Sequence, residues 1–265
     1  MFLFLYERID IQLLRGSVFE IKIDDARYWR DCIGSIATLV DEGIFNISKE
    51  GISLKAMDPS GISMVSFYIP NKAFSKYEID KQAIVGVSIE NFNKILSSAR
   101  NNEQLSMKDS GNKFAIEFIG ENSRRRYKLP MIEVKKEADK EPKIEFESQV
   151  ELKSDPFKEV LKDATSLSNL IGFKTEKDNF KISAKGDAAE LEEEHAGNTD
   201  FVKKMNVTKP SSVTFNLEYL DRIVRTCPQG NTVQLSIKTE EPIKIDYKIG
   251  EASLSYYLAP YMLEN

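Results

Sequence analysis

Three separate segments of the sequence recur at one constant spacing, and this repeat constrains the fold more than any other feature. Trp29 and Ile33 recur as Phe157 and Leu161 in two helix-like segments, and the strand-like segment 52–56 recurs at 180–184. A third pair of segments, 92–95 and 220–223, keeps the separation of Trp29 from Phe157, which we call the repeat spacing. Apolar alternation shared by unrelated segments is the alternative, but it does not preserve the distances between separate elements. We therefore predict two tandem copies of one domain.

Four segments carry the apolar spacing of amphipathic helices, and a residue that can cap a helix precedes each of them. The predicted caps are Asp24 or Asp25, Ser88, Asp155 and Asn216, with Pro156 at the first position of the third helix. Between the helices, short runs alternate apolar and polar residues as strands do, and glycine- and asparagine-containing turns separate them. The predicted fold class is therefore α+β, with a mixed helix-and-sheet domain present twice.

A nearly all-charged segment separates the two copies. It runs from Glu133 to Pro142, has no apolar period and is typical of an exposed connector. The predicted boundaries are an N-terminal extension of unknown structure at 1–16, a first domain at 17–132, a connector at 133–144 and a second domain at 145–265.

Composition excludes several classes of function. Lys and Arg number 37 against 42 Asp and Glu, a net charge of −5, so a broad electrostatic grip on nucleic acid is not expected. Two cysteines and one histidine exclude a disulfide framework and a Cys- or His-rich metal site. No P-loop, G-x-S-x-G or nucleotide-binding glycine pattern is present, and we predict neither a catalytic residue nor a metal or cofactor.

The start of the chain does not have the pattern of a signal peptide. The apolar stretch Met1–Tyr6 is short and is followed at once by Glu7 and Arg8. No apolar run reaches the ~18 residues of a membrane helix. We expect an intracellular, reducing location and no membrane partner.

Three short segments resemble the proliferating cell nuclear antigen family, most closely its archaeal type. They are Gly51–Ser60 (GISLKAMDPS), Leu129–Val134 (LPMIEV) and Tyr256–Pro260 (YYLAP), in the family's order and in a chain of the family's length. The resemblance covers about residues 17–265. It implies a DNA sliding clamp, a processivity factor for DNA replication and repair. Three two-domain subunits would form a pseudo-sixfold ring with helices on its inner face and antiparallel sheets outside. The location would be cytoplasmic in an archaeon and nuclear in a eukaryote.

The resemblance also assigns roles to basic residues on the predicted helices. The residues expected to face double-stranded DNA, without sequence specificity, are Arg27, Arg30, Lys94, Arg100, Lys158, Lys162, Arg222 and Arg225. The same helices carry acidic residues, so their summed charge is near zero, which favours weak, mobile contact with DNA and retention by enclosure. Solvated helix faces, which always carry Lys and Arg, are the alternative interpretation.

Two runs of like charge are expected to close the ring. Arg124, Arg126 and Lys128 lie on one face of one predicted strand, and Glu190, Glu192 and Glu194 lie on one face of another. The resemblance places both strands at the subunit boundary, where opposite charges would select partner and register. This favours a homotrimer but leaves a heterotrimer possible. A metal site at Glu192–His195 is an alternative, although adjacent strand residues point to opposite faces; two solvated edges are another.

A patch for partner peptides is the third implied site. Its residues would be Met57, Ile62, Val134, Pro242, Ala259, Pro260 and Met262. The implied partners are DNA polymerase, clamp loader, flap endonuclease and ligase, each bound through a short peptide with apolar anchors. The connector departs from the family's pattern, because Glu137, Asp139 and Glu141 stand where apolar side chains are expected.

Other classes of function stay open from the sequence alone. The near alternative is a subunit of a heterotrimeric or checkpoint-type clamp. The distant alternatives are a carboxylate-dependent enzyme and a β-rich scaffold that neither forms a ring nor loads onto DNA.

Overall fold

The computed structural model describes residues 19–111, 113–133 and 140–262. The first repeat contains β1 (Phe19–Ile23), α1 (Ala26–Ala37), β2 (Glu42–Ile47), β3 (Gly51–Met57), β4 (Ser63–Pro70), β5 (Lys76–Ile79), β6 (Ala83–Ser88), α2 (Ile89–Leu96), β7 (Gln104–Asp109), β8 (Lys113–Ile119) and β9 (Arg124–Pro130). The second contains β10 (Ser148–Lys153), α3 (Ser154–Thr165), β11 (Leu170–Glu176), β12 (Asn179–Lys185), β13 (Glu190–Ala196), β14 (Val202–Val207), β15 (Ser211–Asn216), α4 (Leu217–Arg225), β16 (Thr232–Ile237), β17 (Ile243–Ile249) and β18 (Ala252–Leu258). The predicted extension 1–16 and connector residues 134–139 lie outside the described residues.

The predicted repeat is confirmed element by element. Helices α1 and α3 begin one repeat spacing apart, and so do α2 and α4, β3 and β12, and β7 and β16. Within the described residues, each repeat therefore supplies nine strands and two α-helices in the same order. The α+β class is confirmed with it.

The strands form three antiparallel sheets. Their orders are β5-β1-β7-β8-β9, β13-β12-β11-β15 and β14-β10-β16-β17-β18-β4-β3-β2-β6. The nine-stranded sheet crosses both repeats, because β18 of the second pairs with β4 of the first. We call this pairing the internal junction. The five-stranded sheet corresponds to the half that ends at β18, and the four-stranded sheet corresponds to the half that begins at β4. The counterpart of β18 is therefore β9, the counterpart of β4 is β13, and each lies at the end of its own sheet.

Local capping explains where three of the four helices begin. Asp25 accepts a hydrogen bond from the Arg27 N–H, Ser88 from the Asn91 N–H, and Asn216 from the Glu218 and Tyr219 N–H groups. These three predicted caps are confirmed, with Asp25 rather than Asp24 at the first.

The predicted start of the third helix is wrong by two residues. Helix α3 begins at Ser154, so Pro156 is its third residue, and the side chain of Lys153 at the cap position makes no capping hydrogen bond. Asp155 instead accepts from the Gly230 N–H at 2.9 Å, and the Ser154 N–H donates to the Asn231 carbonyl at 2.9 Å. Contacts with a distant turn thus satisfy this helix start.

Three tyrosines, Tyr247 and Tyr256, which are buried, and Tyr28, which is half-buried, join the two repeats beneath the internal junction. The Tyr256 hydroxyl donates to the Ser35 carbonyl of α1 at 3.0 Å, and the Tyr247 hydroxyl donates to Tyr256 at 3.1 Å. The Tyr28 hydroxyl accepts from the N–H groups of Glu251 and Ala252, both at 3.0 Å. Because buried polar groups are costly when unpaired, these bonds hold α1 in one position on the second repeat.

Candidate functional site

Seven of the eight basic residues predicted to face DNA lie on the four helices, but their surroundings differ. The prediction that Arg100 lies on the second helix is wrong, because α2 ends at Leu96 and Arg100 lies in the loop before β7. Lys94, Arg100, Lys162, Arg222 and Arg225 are exposed, whereas Arg27, Arg30 and Lys158 are half-buried. Each helix buries its apolar stripe in the core, so its other face is free to carry these charges.

Most of these cations already have a partner within the chain. Lys94 pairs with Glu90 and Arg225 with Asp221, each one helical turn away, and Arg30 lies 2.8 Å from Asp31. A phosphate group approaching them must compete with a carboxylate. Contact with a polyanion is therefore weaker here than the number of cations alone indicates.

Three others contact the protein in a structural role. Arg27 bonds to Asp25 at 2.7 Å and to Asn101 at 3.0 Å. Lys158 donates to the Cys227 carbonyl, and Arg222 donates to the Thr38 carbonyl at the end of α1. A cation at the C-terminus of a helix is favoured by the partial negative charge there.

Lys162 differs from its neighbours. It is exposed on the last turn of α3, and within the described ranges it makes no ion pair or side-chain hydrogen bond. Arg100 is likewise exposed, and among the described residues its side chain makes no ion pair or hydrogen bond, so Lys162 and Arg100 are the two cations of this set most available to a phosphate.

The two charged runs form strands at sheet ends. In β9 the exposed residues are Arg124, Arg126 and Lys128, and in β13 they are Glu190, Glu192 and Glu194. The prediction that each set shares one face is confirmed. That these faces form a subunit interface stays a prediction.

Neighbouring strands partly neutralise both runs. Glu117 of β8 lies 2.8 Å from Arg126 and 3.6 Å from Arg124. On the other strand, Lys181 bonds to Glu192 and Glu194 and lowers the pKa of the Glu194 carboxyl. The edge of β9 nevertheless stays positive, because its three cations face one counter-charge, Glu117. The edge of β13 stays negative, because its three glutamates face two, Lys181 and Lys185.

Four residues of the predicted peptide patch, Met57, Ile62, Pro242 and Ala259, lie near one end of the internal junction. Met57 ends β3, Ile62 lies in the turn before β4, and the Ala259 N–H donates to the Ile62 carbonyl at 2.9 Å. Pro242 precedes Ile243, which pairs with Leu258, so it lies beside Ala259. Met57, Ile62 and Met262 are 46%, 40% and 66% exposed. Pro260 follows Ala259 in the same terminal segment, and Val134 lies outside the described residues.

Two residues of the segments that carry this patch are not among the predicted patch residues. Tyr261 is 47% exposed, and its N–H donates to the Thr214 carbonyl of β15 at 2.7 Å. Asp58 is buried and shapes the turn that carries Ile62, because its carboxylate accepts from the Ile62 and Ser63 N–H groups at 2.8 and 2.6 Å. The sequence indicates the Asp-Pro-Ser turn. It gives no sign of the long-range contact in which the Tyr219 hydroxyl donates to the Asp58 carboxylate at 3.0 Å.

Glu141 anchors the end of the connector on the outer face of the internal junction. Its carboxylate lies 2.8 Å from the Lys55 ammonium and accepts from the hydroxyls of Ser66 at 3.0 Å and Tyr257 at 3.1 Å. Lys55 first, then Ser66 and Tyr257, lower the pKa of this carboxyl despite its partial burial. The charge that departs from the family's pattern is therefore paired with β3, β4 and β18.

The described part of the chain offers neither a metal-binding cluster nor a helix suited to cross a membrane. It contains no group of three His, Cys, Asp or Glu side chains placed to hold a metal ion. Its helices include none that is long and apolar enough to span a bilayer.

Comparison with known proteins finds a family and individual relatives that this chain resembles along most of its length. Residues 18–140 match the family model of the proliferating cell nuclear antigen N-terminal domain, and residues 140–262 match that of the C-terminal domain. A DNA polymerase sliding clamp of Thermococcus gammatolerans is 31% identical over 248 residues, which are 93% of this chain and 99% of the relative. One from Thermofilum pendens is 30% identical over 240 residues, 90% and 97% of the two chains.

Solved structures agree in fold. The proliferating cell nuclear antigen of Thermococcus kodakaraensis superposes with a TM-score of 0.87 at 23% identity, covering 92% of this chain and all of that one. The Entamoeba histolytica protein gives 0.85 at 22%, covering 92% and 99%. The chain has the tandem-domain fold of this class, and it belongs to the proliferating cell nuclear antigen family.

Proposed function

We propose that this chain is the subunit of a DNA sliding clamp, a non-catalytic ring that encloses duplex DNA and tethers a DNA polymerase to it. Family membership and the names of its relatives support this function. The observation that carries it is a pair of edge strands with unlike charges, β9 and β13, which end two different sheets and have no strand on their outer side among the described residues; we call them the free edges.

The free edges are suited to head-to-tail assembly. An unpaired edge strand presents backbone N–H and C=O groups that favour addition of another strand. Because the two edges differ, the contact is heterologous, and a suitable rotation closes it into a ring. Three copies with two domains each give a pseudo-sixfold ring, with charge complementarity favouring identical subunits over a heterotrimer.

The four helices would line the hole. Their cations, including Arg30, Lys94, Lys162 and Arg225, would meet the phosphates while the acidic partners of three of them weaken each contact. Such a surface lets DNA move and leaves retention to enclosure. In an archaeal cell, such a clamp would act in the cytoplasm, on the chromosome.

The exposed patch around Met57, Ile62 and Met262 would receive the short peptides of partner enzymes. Flexible methionines repack around different apolar anchors, which suits a surface with several partners. Besides the polymerase, the proposed partners are a clamp loader, a flap endonuclease and a ligase.

Negative-stain imaging and light scattering of the purified chain test the proposal directly. We expect a threefold ring with a duplex-sized hole and a mass of three chains. After loading onto nicked circular DNA, the protein should stay bound until a restriction enzyme linearises the circle. A stable monomer, or equal loss from circular and linear DNA, would refute the proposed function.

A further inference from the structure

The internal junction provides a template for contact between subunits. In it, β18 and β4 pair in the antiparallel register Ser253–Tyr68, Leu254–Phe67, Ser255–Ser66, Tyr256–Val65 and Tyr257–Met64. The smaller sheets contain the counterparts of both strands, and within the described ranges neither counterpart has a strand paired to its outer edge. The repeat therefore tells which residue of β9 should face which residue of β13.

The position of each β9 residue follows from its neighbours in the sheet. Met107 pairs with Ile116, which pairs with Tyr127. In the second repeat, Leu235 pairs with Ile245, which pairs with Tyr256. Since Met107 and Leu235 are separated by the repeat spacing, Tyr127 is the counterpart of Tyr256, and Arg125 that of Leu254.

The same reasoning applies to β13. Leu54 pairs with Phe67, and Ile182, which lies one repeat spacing further on, pairs with Glu193. Glu193 is therefore the counterpart of Phe67, and Leu191 that of Val65. The alternating burial along β13 agrees, with Leu191, Glu193 and His195 on the inward face.

We propose that β9 pairs with β13 of a second copy of this chain in a single register: Arg124–Glu194, Arg125–Glu193, Arg126–Glu192, Tyr127–Leu191 and Lys128–Glu190. We call this contact the seam. The proposal rests on the proposed ring, and it specifies the seam residue by residue. The internal junction has three neutral outward pairs, and the seam has three pairs of opposite charge at the same positions.

The inward pair is the most distinctive part of this register. Leu254 and Phe67, each 1% exposed, fill this place in the internal junction, whereas Arg125 and Glu193 fill it in the seam. Contacts within the single chain already orient both side chains toward this position. Arg125 is held by Glu103 at 2.6 Å and by Ser98, with its guanidinium over the Phe118 ring, and its Nε is buried without a partner among the described residues.

Glu193 is oriented in a similar way. His195 lies 3.0 Å from one of its oxygens, and the other described contacts leave the second oxygen free to accept from a neighbour's guanidinium. A buried ion pair contributes less net stability than an apolar pair of similar size, because both charges lose water. The seam should therefore separate more readily than the internal junction while rejecting a misaligned partner, which suits a ring that must open.

Paired cysteines test the register. Opposed residues on antiparallel strands have Cβ atoms about 4.5–5.5 Å apart and diagonal ones about 7–8 Å, so only the opposed pair readily forms a disulfide. The double variant Arg126→Cys, Glu192→Cys should give covalent dimers and trimers under mild oxidation. The matched variants Arg126→Cys, Glu190→Cys and Arg126→Cys, Glu194→Cys should cross-link at least tenfold more slowly. The native Cys32 and Cys227 are buried, which keeps the background low.

A charge reversal tests the inward pair. Glu193→Lys would face Arg125 and should convert the ring to folded monomers, whereas Glu78→Lys on the edge of β5, outside the seam, should leave it intact. Faster cross-linking of a diagonal pair would overturn the register. An unchanged ring in Glu193→Lys would overturn the inward pair. In both cases the ring itself would still form. Absence of any ring from the unmodified chain would instead refute the proposed function.

Discussion

Reversing the acidic face of β13 should dissolve the ring into folded monomers. The triple variant Glu190→Lys, Glu192→Lys and Glu194→Lys removes three opposed charge pairs from each seam. An exposed pair contributes about 0.2–1 kcal/mol, and opposed like charges cost a similar amount, so the full range is roughly 1–6 kcal/mol per seam.

The structure narrows this range. Lys181 and Lys185 already pair with the three glutamates, and Glu117 with Arg124 and Arg126, so each run enters the seam partly neutralised. About 1–3 kcal/mol per seam is the reasoned value, which corresponds to a 5- to 150-fold weaker association at each contact by the relation of about 1.4 kcal/mol to a factor of ten.

Sedimentation equilibrium between 50 and 500 mM salt measures this change, with circular dichroism as the check on folding. High salt should narrow the difference from the unmodified chain, because exposed charges are screened within about 10 Å at 0.1 M. Adding Arg124→Glu, Arg126→Glu and Lys128→Glu to the same chain should restore the ring with the signs exchanged. A triple variant that stays trimeric at the original association constant would refute a role for the charges.

Three other predictions concern separate parts of the chain. Lys162→Ala should weaken the salt dependence of DNA binding. The slope of the logarithm of the binding constant against the logarithm of salt concentration should become shallower by about 0.9 for each lost phosphate contact. An unchanged slope would contradict the assignment of Lys162 to the DNA-facing surface. Glu103→Gln should cost about 2 kcal/mol in unfolding free energy, because it removes the counter-charge of the half-buried Arg125 and leaves only the hydrogen bonds to Ser98. Burial raises the pKa of Glu103, but the Arg100 N–H and the Arg125 guanidinium lower it overall. Its stabilisation is therefore present above the usual glutamate pKa and lost as pH falls through the lowered value, so acid titration of the Gln variant should be flatter. Met57→Ala should weaken a polymerase-derived peptide by about 1–2 kcal/mol in calorimetry, with Glu50→Ala as a distant control, and equal affinities would remove Met57 from the patch.

Local signals in the sequence predicted most of the fold. Asp25, Ser88 and Asn216 cap their helices through bonds within three residues, so their effect is readable from neighbours alone. Asp155 failed as a cap because its carboxylate bonds to Gly230, 75 residues away, and no local pattern records that contact.

The candidate site divides in the same way. Alternation along the strand places Arg124, Arg126 and Lys128 on one face without any knowledge of the sheet. The role of Glu141, in contrast, depends on Lys55, Ser66 and Tyr257, which three different strands bring to one point. In the sequence it was only an unexpected charge in the connector.

The order of residues by itself determined the doubled domain, the helix and strand periods and the two runs of opposite charge, since each depends on spacing along the chain. Only the tertiary structure decided that β9 and β13 end their sheets, that Arg125 and Glu193 point inward, and that Arg222 is bonded to the end of α1. The physical reason is that sheet order and hydrogen-bond partners are set by contacts between segments far apart in the chain. The periodic spacing of residues within one segment does not specify those contacts.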